Sequence, residues 1–321
     1  MNEQGNSILA RWTKYLSEPR WLQGTAILRI CFGVIVASMF ILHIRDREFL
    51  FGPGGLFPWQ TAHELSVFQH SVDVFTLHSG ETYFNLCFAA GIVVSLAFTF
   101  GFYTRIVTPI FVIFTWSLFH RQPDLMDGGY RLLNILLIYL IFADLGTHFS
   151  LDAVFAARIG KTIQTGPFRA ILHNAGVMMC MYQICLVYLF STFYKITGTE
   201  WQQGTALYYA MSDIQFNTGP WTDMLLAHPL LLTLGDYATL LYQSAFVWLI
   251  WHPRLKYLVI AGALFLHLGI AFLMGLPWFS AIMISCEALF LTDGDYARII
   301  AFIKRLLNDH PAGSAKLAES T

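Results

Sequence analysis

The first long apolar stretch of the chain decides its fold: Thr25–Ile44 reads TAILRICFGVIVASMFILHI. Arg29 is its one Lys, Arg, Asp or Glu residue. A helix of about 20 residues is about 30 Å long, which matches the hydrocarbon thickness of a bilayer. The stretch therefore predicts a membrane-spanning helix, and similar apolar stretches recur along the chain.

The composition of the whole chain agrees with a lipid environment. Of its 321 residues, 56% are hydrophobic and 12% are charged, and this charged share is about half that of an ordinary soluble domain. A soluble protein of this size could not bury so much apolar surface in one core. The composition excludes a soluble enzyme, a secreted disulfide scaffold and a disordered linker. A net charge of −1 without a basic face argues against nucleic acid as a partner.

Eight apolar stretches are predicted to span the membrane as helices. They are Thr25–Ile44, Tyr83–Phe100, Ile106–Phe119, Leu132–Leu145, Arg169–Phe190, Thr233–Trp251, Lys256–Met274 and Pro277–Leu291. The third and fourth are short for a bilayer of about 30 Å. The predicted fold class is an all-α, polytopic helical bundle with about eight transmembrane helices. It comprises an N-terminal segment, 1–24, a membrane domain, 25–292, and a polar tail, 293–321.

The distribution of basic residues predicts the orientation of these spans. Of the 19 Lys and Arg residues, 13 fall in the loops of one side and 5 in those of the other, while Arg29 lies inside the first span. Loops rich in Lys and Arg stay on the cytoplasmic side of a membrane. Both termini are therefore predicted to be cytoplasmic, and the longer, more acidic loops are predicted to face outward.

No metal site is predicted from the spacing of the usual ligands. The five cysteines lie inside apolar stretches without a CxxC pair, so they are interpreted as small core hydrophobes. His120, Asp124 and Asp127 carry groups that bind metals. Their spacing, however, matches no strong ligand pattern.

Lys195 is the first candidate for chemistry. It follows an apolar span and lies in Phe193–Tyr194–Lys195–Ile196, with Trp201 six residues on. A lysine held among aromatic residues at the membrane boundary loses hydration, which disfavours its ammonium form and lets it remove a proton from a weak acid such as a hydroquinone. The alternative is a lysine whose ammonium group simply reaches the interface.

Two further ionisable residues lie within predicted spans. His267 lies in the middle of the seventh span, where it either faces a functional interior or holds two helices together by a hydrogen bond. Glu287, in the eighth span, is predicted to pair with Arg29, with polar groups near a cavity as its alternative partners.

The turn His120–Arg131 is dense in donors and carboxylates. Asp127 can cap the helix that follows it, and this role is compatible with that of an active-site carboxylate. Gly128 and Gly129 allow the backbone to pack closely as it enters that helix.

Four stretches of the chain, taken in order, carry a family resemblance. They are Arg47-x-x-Leu50-Phe51-Gly52-Pro53-Gly54-Gly55-Leu56-Phe57-Pro58; Gly101-Phe102-Tyr103-Thr104-Arg105 with Asp127-Gly128-Gly129-Tyr130; Phe149-Ser150-Leu151-Asp152; and Tyr194-Lys195-Ile196-x4-Trp201-x2-Gly204-x-Ala206. Phe265-x-His267, ten residues before Pro277-Trp278, supports them. From about Trp21 to Thr292 the chain resembles the horizontally transferred transmembrane (HTTM) family, bacterial relatives of the vitamin K-dependent gamma-carboxylase.

The resemblance implies specific roles for several residues. Lys195 matches the carboxylase lysine that deprotonates reduced vitamin K, and His267 matches a family histidine. Asp127 and His120 join them as candidate catalytic residues, while Trp201, Tyr130 and Tyr194 are candidates for binding the cofactor. The cofactor implied is a reduced quinone, menaquinol or vitamin K hydroquinone. The implied location is the bacterial cytoplasmic (inner) membrane, with the active site on its outer face.

The chain departs from the carboxylase at two points. Gly128 stands where the carboxylase has a histidine, two residues before the matched Tyr130. The carboxylase also has a large soluble region for its peptide substrate, whereas only about 30 residues follow the last predicted span here. Both departures argue against carboxylation of protein glutamates, even if quinol chemistry is retained.

Three functions remain open from the sequence. The first is a multi-pass membrane enzyme of the carboxylase-like (lyase) or oxygenase type that uses a quinol and oxygen, with a small peptide or small molecule as second substrate. The second is a non-enzymatic membrane partner in the maturation of a peptide or toxin, a role that members of the wider family have. The third, a small-solute carrier, has less support because the sequence shows no broken-helix pair and no repeated half.

Overall fold

The computed structural model describes residues 8–68, 73–123 and 126–308 of the chain. Throughout these ranges the structure consists of helices and their connections, without a β-strand. The predicted all-α class is therefore confirmed. Asp124, a candidate metal ligand, and residues 309–321 of the predicted tail lie outside the described residues, as do residues 1–7.

Sixteen α-helices occur in the described part of the chain. They are α1 (Ile8–Ser17), α2 (Leu22–Leu42), α3 (Arg47–Phe51), α4 (Trp59–Phe68), α5 (Glu81–Phe100), α6 (Thr104–Arg121), α7 (Gly128–Leu140), α8 (Leu151–Arg158), α9 (Pro167–Thr197), α10 (Thr199–Gln203), α11 (Ala206–Ser212), α12 (Pro220–Leu226), α13 (Pro229–Leu249), α14 (Lys256–Leu273), α15 (Pro277–Cys286) and α16 (Asp293–Asn308). Two short 3₁₀ segments, Val74–Thr76 and Glu287–Phe290, precede α5 and follow α15.

Four of these helices, α2, α5, α9 and α14, are long and apolar enough to cross a membrane. A fifth candidate is the pair α12 and α13, which pass the same test together and are bent by 94° at their junction. The helices α7 and α15 are apolar but shorter. The fold is thus compatible with a multi-pass membrane protein. The bent pair forms either a broken span or a re-entrant loop, neither of which the sequence analysis predicted.

The helices α2 and α5 form the most extensive helix–helix contact among the described residues; they run antiparallel and approach each other at glycines. A Cβ atom on Gly33 would lie 2.3 Å from Oγ1 of Thr99, and one on Gly91 would lie 2.5 Å from the ring of Phe40. Small residues at such contacts let the backbones of membrane helices come close together. The first apolar run, Thr25–Ile44, therefore forms most of α2, a central helix of the bundle.

Arg29 is fully buried in α2 and binds backbone carbonyl groups. Its guanidinium donates to the carbonyl oxygens of Phe98 (2.8 Å), Leu145 (3.1 Å) and Phe149 (2.6 Å), and also to that of Thr99. The predicted pairing of Arg29 with Glu287 is therefore wrong. The carbonyl groups at the end of α5 and in the 145–149 connection already take up the donors of Arg29.

Asp152 stabilises the turn between α5 and α6 by hydrogen bonds. Its carboxylate accepts hydrogen bonds from the backbone N–H groups of Tyr103 (2.7 Å) and Thr104 (2.8 Å) and from the Thr104 hydroxyl (2.8 Å). These donors belong to the first turn of α6, which has no earlier carbonyl partner. Two stretches that carry the family resemblance, 101–105 and 149–152, are thus held together by these hydrogen bonds.

Helix α9 extends beyond the apolar run that predicts it. The predicted span ends at Phe190, whereas the helix continues to Thr197 and ends at Gly198. The Thr192 hydroxyl donates back to the carbonyl of Tyr188 at 2.8 Å, so this residue is accommodated within the helix. As a result Lys195 lies inside α9, seven residues and about 10 Å of helix axis from Tyr188.

Candidate functional site

The side chain of Lys195 is held by neutral groups. Its Nζ donates to Oγ of Ser191 at 2.6 Å, one helical turn earlier, and to Oε1 of Gln243 in α13 at 3.0 Å. The ring of Trp201 lies 5.2 Å from the same atom, because α10 turns back after Gly198. Among the described residues, none of the ion pairs includes Lys195. The lysine is thus fixed and partly buried without a carboxylate partner.

A second group of polar side chains lies deeper in the bundle. Tyr188, His267 and Glu287 are each 2–3% exposed. The Tyr188 hydroxyl is 3.0 Å from Nε2 of His267 and 3.5 Å from Oε1 of Glu287. The ring of Tyr188 is stacked on Phe246, with 3.9 Å between the ring centroids. These three residues come from α9, α14 and the 3₁₀ segment after α15, so they tie three helical segments together.

Lys195 and Tyr188, a member of this buried group, share one face of α9. Tyr188, Ser191 and Lys195 follow the spacing i, i+3 and i+7, which places them on the same side of a helix. Tyr188 in turn bonds to His267, so this face of α9 turns toward α14. We call Lys195, Gln243, Tyr188, His267 and Glu287 the polar cluster.

Asp127 and Tyr130 line a separate cavity of about 280 Å³ near the same end of the bundle. Oδ1 of Asp127 accepts the backbone N–H of Tyr130 at 3.0 Å, so the predicted cap of α7 is confirmed. Burial raises the pKa of Asp127, against the opposing effect of the backbone N–H groups that it accepts. Phe279 lines this cavity, and its ring centroid lies 5.7 Å from that of His267. Phe279 therefore separates the cavity from the polar cluster.

Gly129 allows α7 to pack closely against Phe279 in the wall of this cavity. A Cβ atom at Gly129 would lie 3.1 Å from Cα of Phe279, which is tighter than most packed contacts, whereas one at Gly128 would lie 4.0 Å from the Phe279 ring. The second residue of α7, Gly129, therefore packs directly against Phe279. Gly128, which stands where the carboxylase has a histidine, has room for a side chain.

The remaining sequence candidates lie apart from these two sites. His120 stacks on Trp116 with 4.1 Å between ring centroids, and its Nδ1–H donates to the Trp116 carbonyl at 2.9 Å. It lines a different cavity, shared with Met126 and Arg131. Tyr194 is 80% exposed and belongs to the surface of α9. The structure thus brings Lys195 and Trp201 together and links them to His267, but it does not bring His120 or Tyr194 to them.

Sequence reasoning missed two members of the polar cluster, Tyr188 and Gln243. Both carried a signal. Tyr188 lies seven residues before Lys195 and so on the same helix face, while Gln243 is the one amide in the apolar run TLLYQSAFVW. A lone polar residue in a membrane helix faces the interior of the bundle by default.

An apolar cavity of about 430 Å³ lies between α13 and α14. Its walls include Gly235, Ala238, Tyr242 and Gly269, so small residues provide much of its space. Among the described residues, no heavy atom of another part of the protein lies within 4 Å of the position that a Cβ on Gly269 would take. Tyr242 precedes Gln243 in α13, so the same turn of helix forms a wall of the cavity and holds Lys195.

Metal ligands are not grouped in the segments that the structure describes. Within 8–68, 73–123 and 126–308, no set of three or more His, Cys, Asp or Glu residues is placed to hold a metal ion. Cys180, Cys185 and Cys286 are buried as free thiols in the core, where they pack as small apolar side chains.

Comparison with known proteins finds similarity over part of the chain. A stretch of 130 residues is 32% identical to a protein of Bacillus subtilis (strain 168) that bears the name "Uncharacterized protein YitO". The match covers 39% of this chain and 42% of that protein, so the chain spans less than half the length of the curated relative it matches. No family model matches the chain, and no solved structure matches it.

Proposed function

We propose that this protein is a quinol-dependent membrane enzyme, similar to the membrane domain of the vitamin K-dependent gamma-carboxylase, in which Lys195 is the base. The observation that carries the proposal is the environment of Lys195. Its nitrogen is fixed by a hydroxyl, an amide oxygen and an aromatic ring rather than by a carboxylate. A lysine in such surroundings gains little from being charged, so it is suited to accept a proton.

The proposed topology has eight spans with both termini in the cytoplasm. The spans correspond to α2, α5, α6, α7, α9, α13, α14 and α15, and the short helices extend into their flanks. Support comes from the 13 basic residues on one side against 5 on the other. In this orientation Lys195 and the Asp127 cavity both face outward from a bacterial cytoplasmic membrane.

The residues around Lys195 fit an amphiphilic quinol. Lys195, Ser191 and Gln243 offer polar contacts to a quinol hydroxyl, and the apolar cavity between α13 and α14 would hold its hydrocarbon tail. Quinol and O₂ give quinone epoxide and water: the two hydroxyl hydrogens of the quinol go to the water, one atom of O₂ enters the epoxide, and the quinol supplies all four electrons that O₂ takes up. In this scheme Lys195 takes the proton of one hydroxyl, Gln243 and Ser191 orient that hydroxyl, and Trp201 limits the access of water.

The second substrate is assigned to the cavity lined by Asp127 and Tyr130. Its volume of about 280 Å³ suits a small molecule or the side chain of a small peptide. Phe279, which lies between this cavity and His267, is placed to control contact between the two halves of the site.

The direct test is epoxide formation by the purified protein in lipid nanodiscs, with menaquinol or vitamin K hydroquinone and O₂. Lys195→Ala should abolish the product, a loss of at least about 10²-fold for removal of a general base. Lys161→Ala, which removes an exposed lysine between α8 and α9, is the matched control and should retain full activity. Absence of epoxide with either quinol would refute the proposal.

A second candidate is a non-enzymatic partner in the maturation of a small peptide. It is favoured by the apolar side chains of the connection between α9 and α13, where Tyr209, Ile214 and Trp221 are 61%, 94% and 71% exposed. For such a protein, Lys195→Ala would leave peptide maturation in cells intact, whereas Trp221→Ala with Ile214→Ser would abolish it. The two candidates therefore predict opposite responses.

A further inference from the structure

The buried side chains of Tyr188, His267 and Glu287 form hydrogen bonds whose directions depend on one another. The Tyr188 hydroxyl lies between Nε2 of His267 (3.0 Å) and Oε1 of Glu287 (3.5 Å). A hydroxyl has a single hydrogen, so Tyr188 can donate to only one of these atoms and must accept from the other. The positions of the protons on the imidazole and on the carboxyl group are therefore coupled through Tyr188.

The coupling leaves two complete arrangements of the hydrogen bonds. In the first, Nε2–H of His267 donates to the Tyr188 oxygen and the Tyr188 hydroxyl donates to the Glu287 carboxylate. In the second, the Tyr188 hydroxyl donates to Nε2 of His267, and the protonated Glu287 donates to the Tyr188 oxygen. The two differ by one proton, which Glu287 carries in the second.

Each end of this chain of hydrogen bonds has one polar atom without a partner. Nδ1 of His267 is buried without a hydrogen-bond partner in the described part of the chain, and so is Oε2 of Glu287. Buried polar atoms without partners are rare and call for an explanation. Lys195, the cationic member of the polar cluster, lies on the same face of α9 as Tyr188, two helical turns closer to the end of that helix.

We propose that His267, Tyr188 and Glu287 form a proton relay that carries the proton removed by Lys195 into the interior of the bundle. The lysine ammonium gives a proton to Nδ1 of His267, Nε2 gives its proton to the Tyr188 oxygen, and the Tyr188 hydroxyl gives its proton to Oε1 of Glu287. Each transfer breaks one N–H or O–H bond and forms another, without transfer of electrons. Lys195 is returned to its free amine, and Glu287 holds the proton until the same steps run in reverse and return it, through Lys195, to the oxygen atom of O₂ that leaves as water.

The surroundings of the relay favour this route over others. Apolar rings enclose it: Phe246 stacks on Tyr188, and Phe279 contacts His267 edge-on. The other titratable groups near Glu287 are Cys185, Tyr242 and Cys286. Tyr242 donates its hydroxyl to the carbonyl of Val259 at 2.8 Å, so its proton is engaged elsewhere.

Infrared spectroscopy of the protein in lipid nanodiscs tests the relay without any substrate. A protonated carboxyl group has a carbonyl stretch that is separate from the amide bands, and the difference between wild type and Glu287→Gln assigns it. Transfer to D₂O shifts this band at the rate at which protons reach Glu287. Tyr188→Phe should slow that exchange severalfold, because it removes the bridging hydroxyl and keeps the ring. His267→Asn should slow it as well.

Matched variants separate the relay from general loosening of the bundle. Tyr296→Phe removes the hydroxyl of a buried tyrosine outside the polar cluster, which donates to the carbonyl of Ala288, and should leave the exchange rate unchanged. The relay is overturned if Tyr296→Phe slows exchange as much as Tyr188→Phe, or if neither Tyr188→Phe nor His267→Asn changes it. It is also overturned if no band depends on Glu287 at any pH from about 5 to 9, the range in which buried glutamates retain protons. If one of the two variants, Tyr188→Phe or His267→Asn, fails to fold, the exchange rate of the other alone decides the test.

The inference rests on the proposed function for the source of the proton, and the two can fail separately. Slowed exchange in Tyr188→Phe without epoxide formation by the wild type leaves the relay in place and refutes the quinol enzyme. Epoxide formation with unchanged exchange refutes the relay alone. If both hold, Glu287→Gln should lower steady-state turnover by about 10²-fold while the first turnover persists, because only the regeneration of Lys195 is blocked.

Discussion

The connection between α4 and α5 contains a buried aspartate whose effect on stability can be worked out. Asp73 is 2% exposed, and its Oδ1 accepts the backbone N–H of Phe75 at 2.9 Å. Its Oδ2 has no hydrogen-bond partner among the described residues. The nearby guanidinium of Arg121 donates to the carbonyls of Gly52 and Phe57. Burial raises the pKa of Asp73 from 3.8 to about 6, against the opposing effects of Phe75 and Arg121.

This pKa fixes the direction and size of a pH effect. Between pH 3.8 and about 6 the folded protein holds a proton on Asp73 that the unfolded chain releases. The stabilisation is therefore complete below the lower pKa and is lost as the pH rises through the upper one. A rise of the pKa from 3.8 to about 6 corresponds to about 3 kcal/mol of unfolding free energy. At about 2 °C for each kcal/mol, the melting temperature should fall by roughly 6 °C across that window.

Asp73→Asn should remove this component of the pH dependence. The amide keeps the acceptor for Phe75 and cannot ionise, so the variant should gain stability over wild type as the pH is raised from 4 to 7. The assay is thermal unfolding of both proteins in the same detergent, followed by tryptophan fluorescence over that pH range. Asp223→Asn, which changes an exposed carboxylate, is the control and should follow wild type. If Asp73→Asn and wild type keep a constant difference in melting temperature, the reasoning is refuted.

Two other predictions concern the cavity between α13 and α14 and the hydrogen bonds of Asp152. Gly269→Leu should fill the cavity between α13 and α14, so the KM for a long-chain menaquinol should rise while that for a tail-less hydroquinone stays unchanged; equal effects on both would show that the tail does not lie there. Asp152→Ala should lower the unfolding free energy by about 1–2 kcal/mol, because two N–H groups of α6 lose their acceptor, whereas Asp152→Asn should lose less; thermal unfolding measures both.

The long helices could be predicted because lipid imposes a simple rule on the sequence. A helix that crosses a bilayer needs about 20 apolar residues, and runs of this kind can be counted. The predicted spans Tyr83–Phe100 and Lys256–Met274 agree with α5 and α14 to within two residues. Hydropathy could not find the true end of α9, since Ser191, Thr192 and Thr197 lower the average while hydrogen bonds along the helix keep it intact.

The candidate site was predictable only in part, because it depends on contacts between distant segments. Lys195 and His267 stand out locally as ionisable residues in or beside apolar runs. Tyr188 bonds to His267 and shares a face of α9 with Lys195, but in the sequence it cannot be told from an ordinary core aromatic residue. The wrong pairing of Arg29 with Glu287 has the same origin. Opposite charges suggest a pair in a sequence, but four carbonyl groups supplied by the fold bind the guanidinium instead.

The carbonyl partners of Arg29 also bear on how the chain is assembled during synthesis. They belong to residues 98–149, which leave the ribosome well after α2 has formed. In the proposed topology Arg29 lies within a membrane-spanning helix, and an unpartnered arginine there costs up to about 2.5–3.5 kcal/mol, the value for the helix centre on the scale of the insertion machinery. In that topology α2 has reason to wait beside the translocon until some 120 further residues emerge, and to enter the bilayer together with α5 and the 145–149 connection rather than ahead of them.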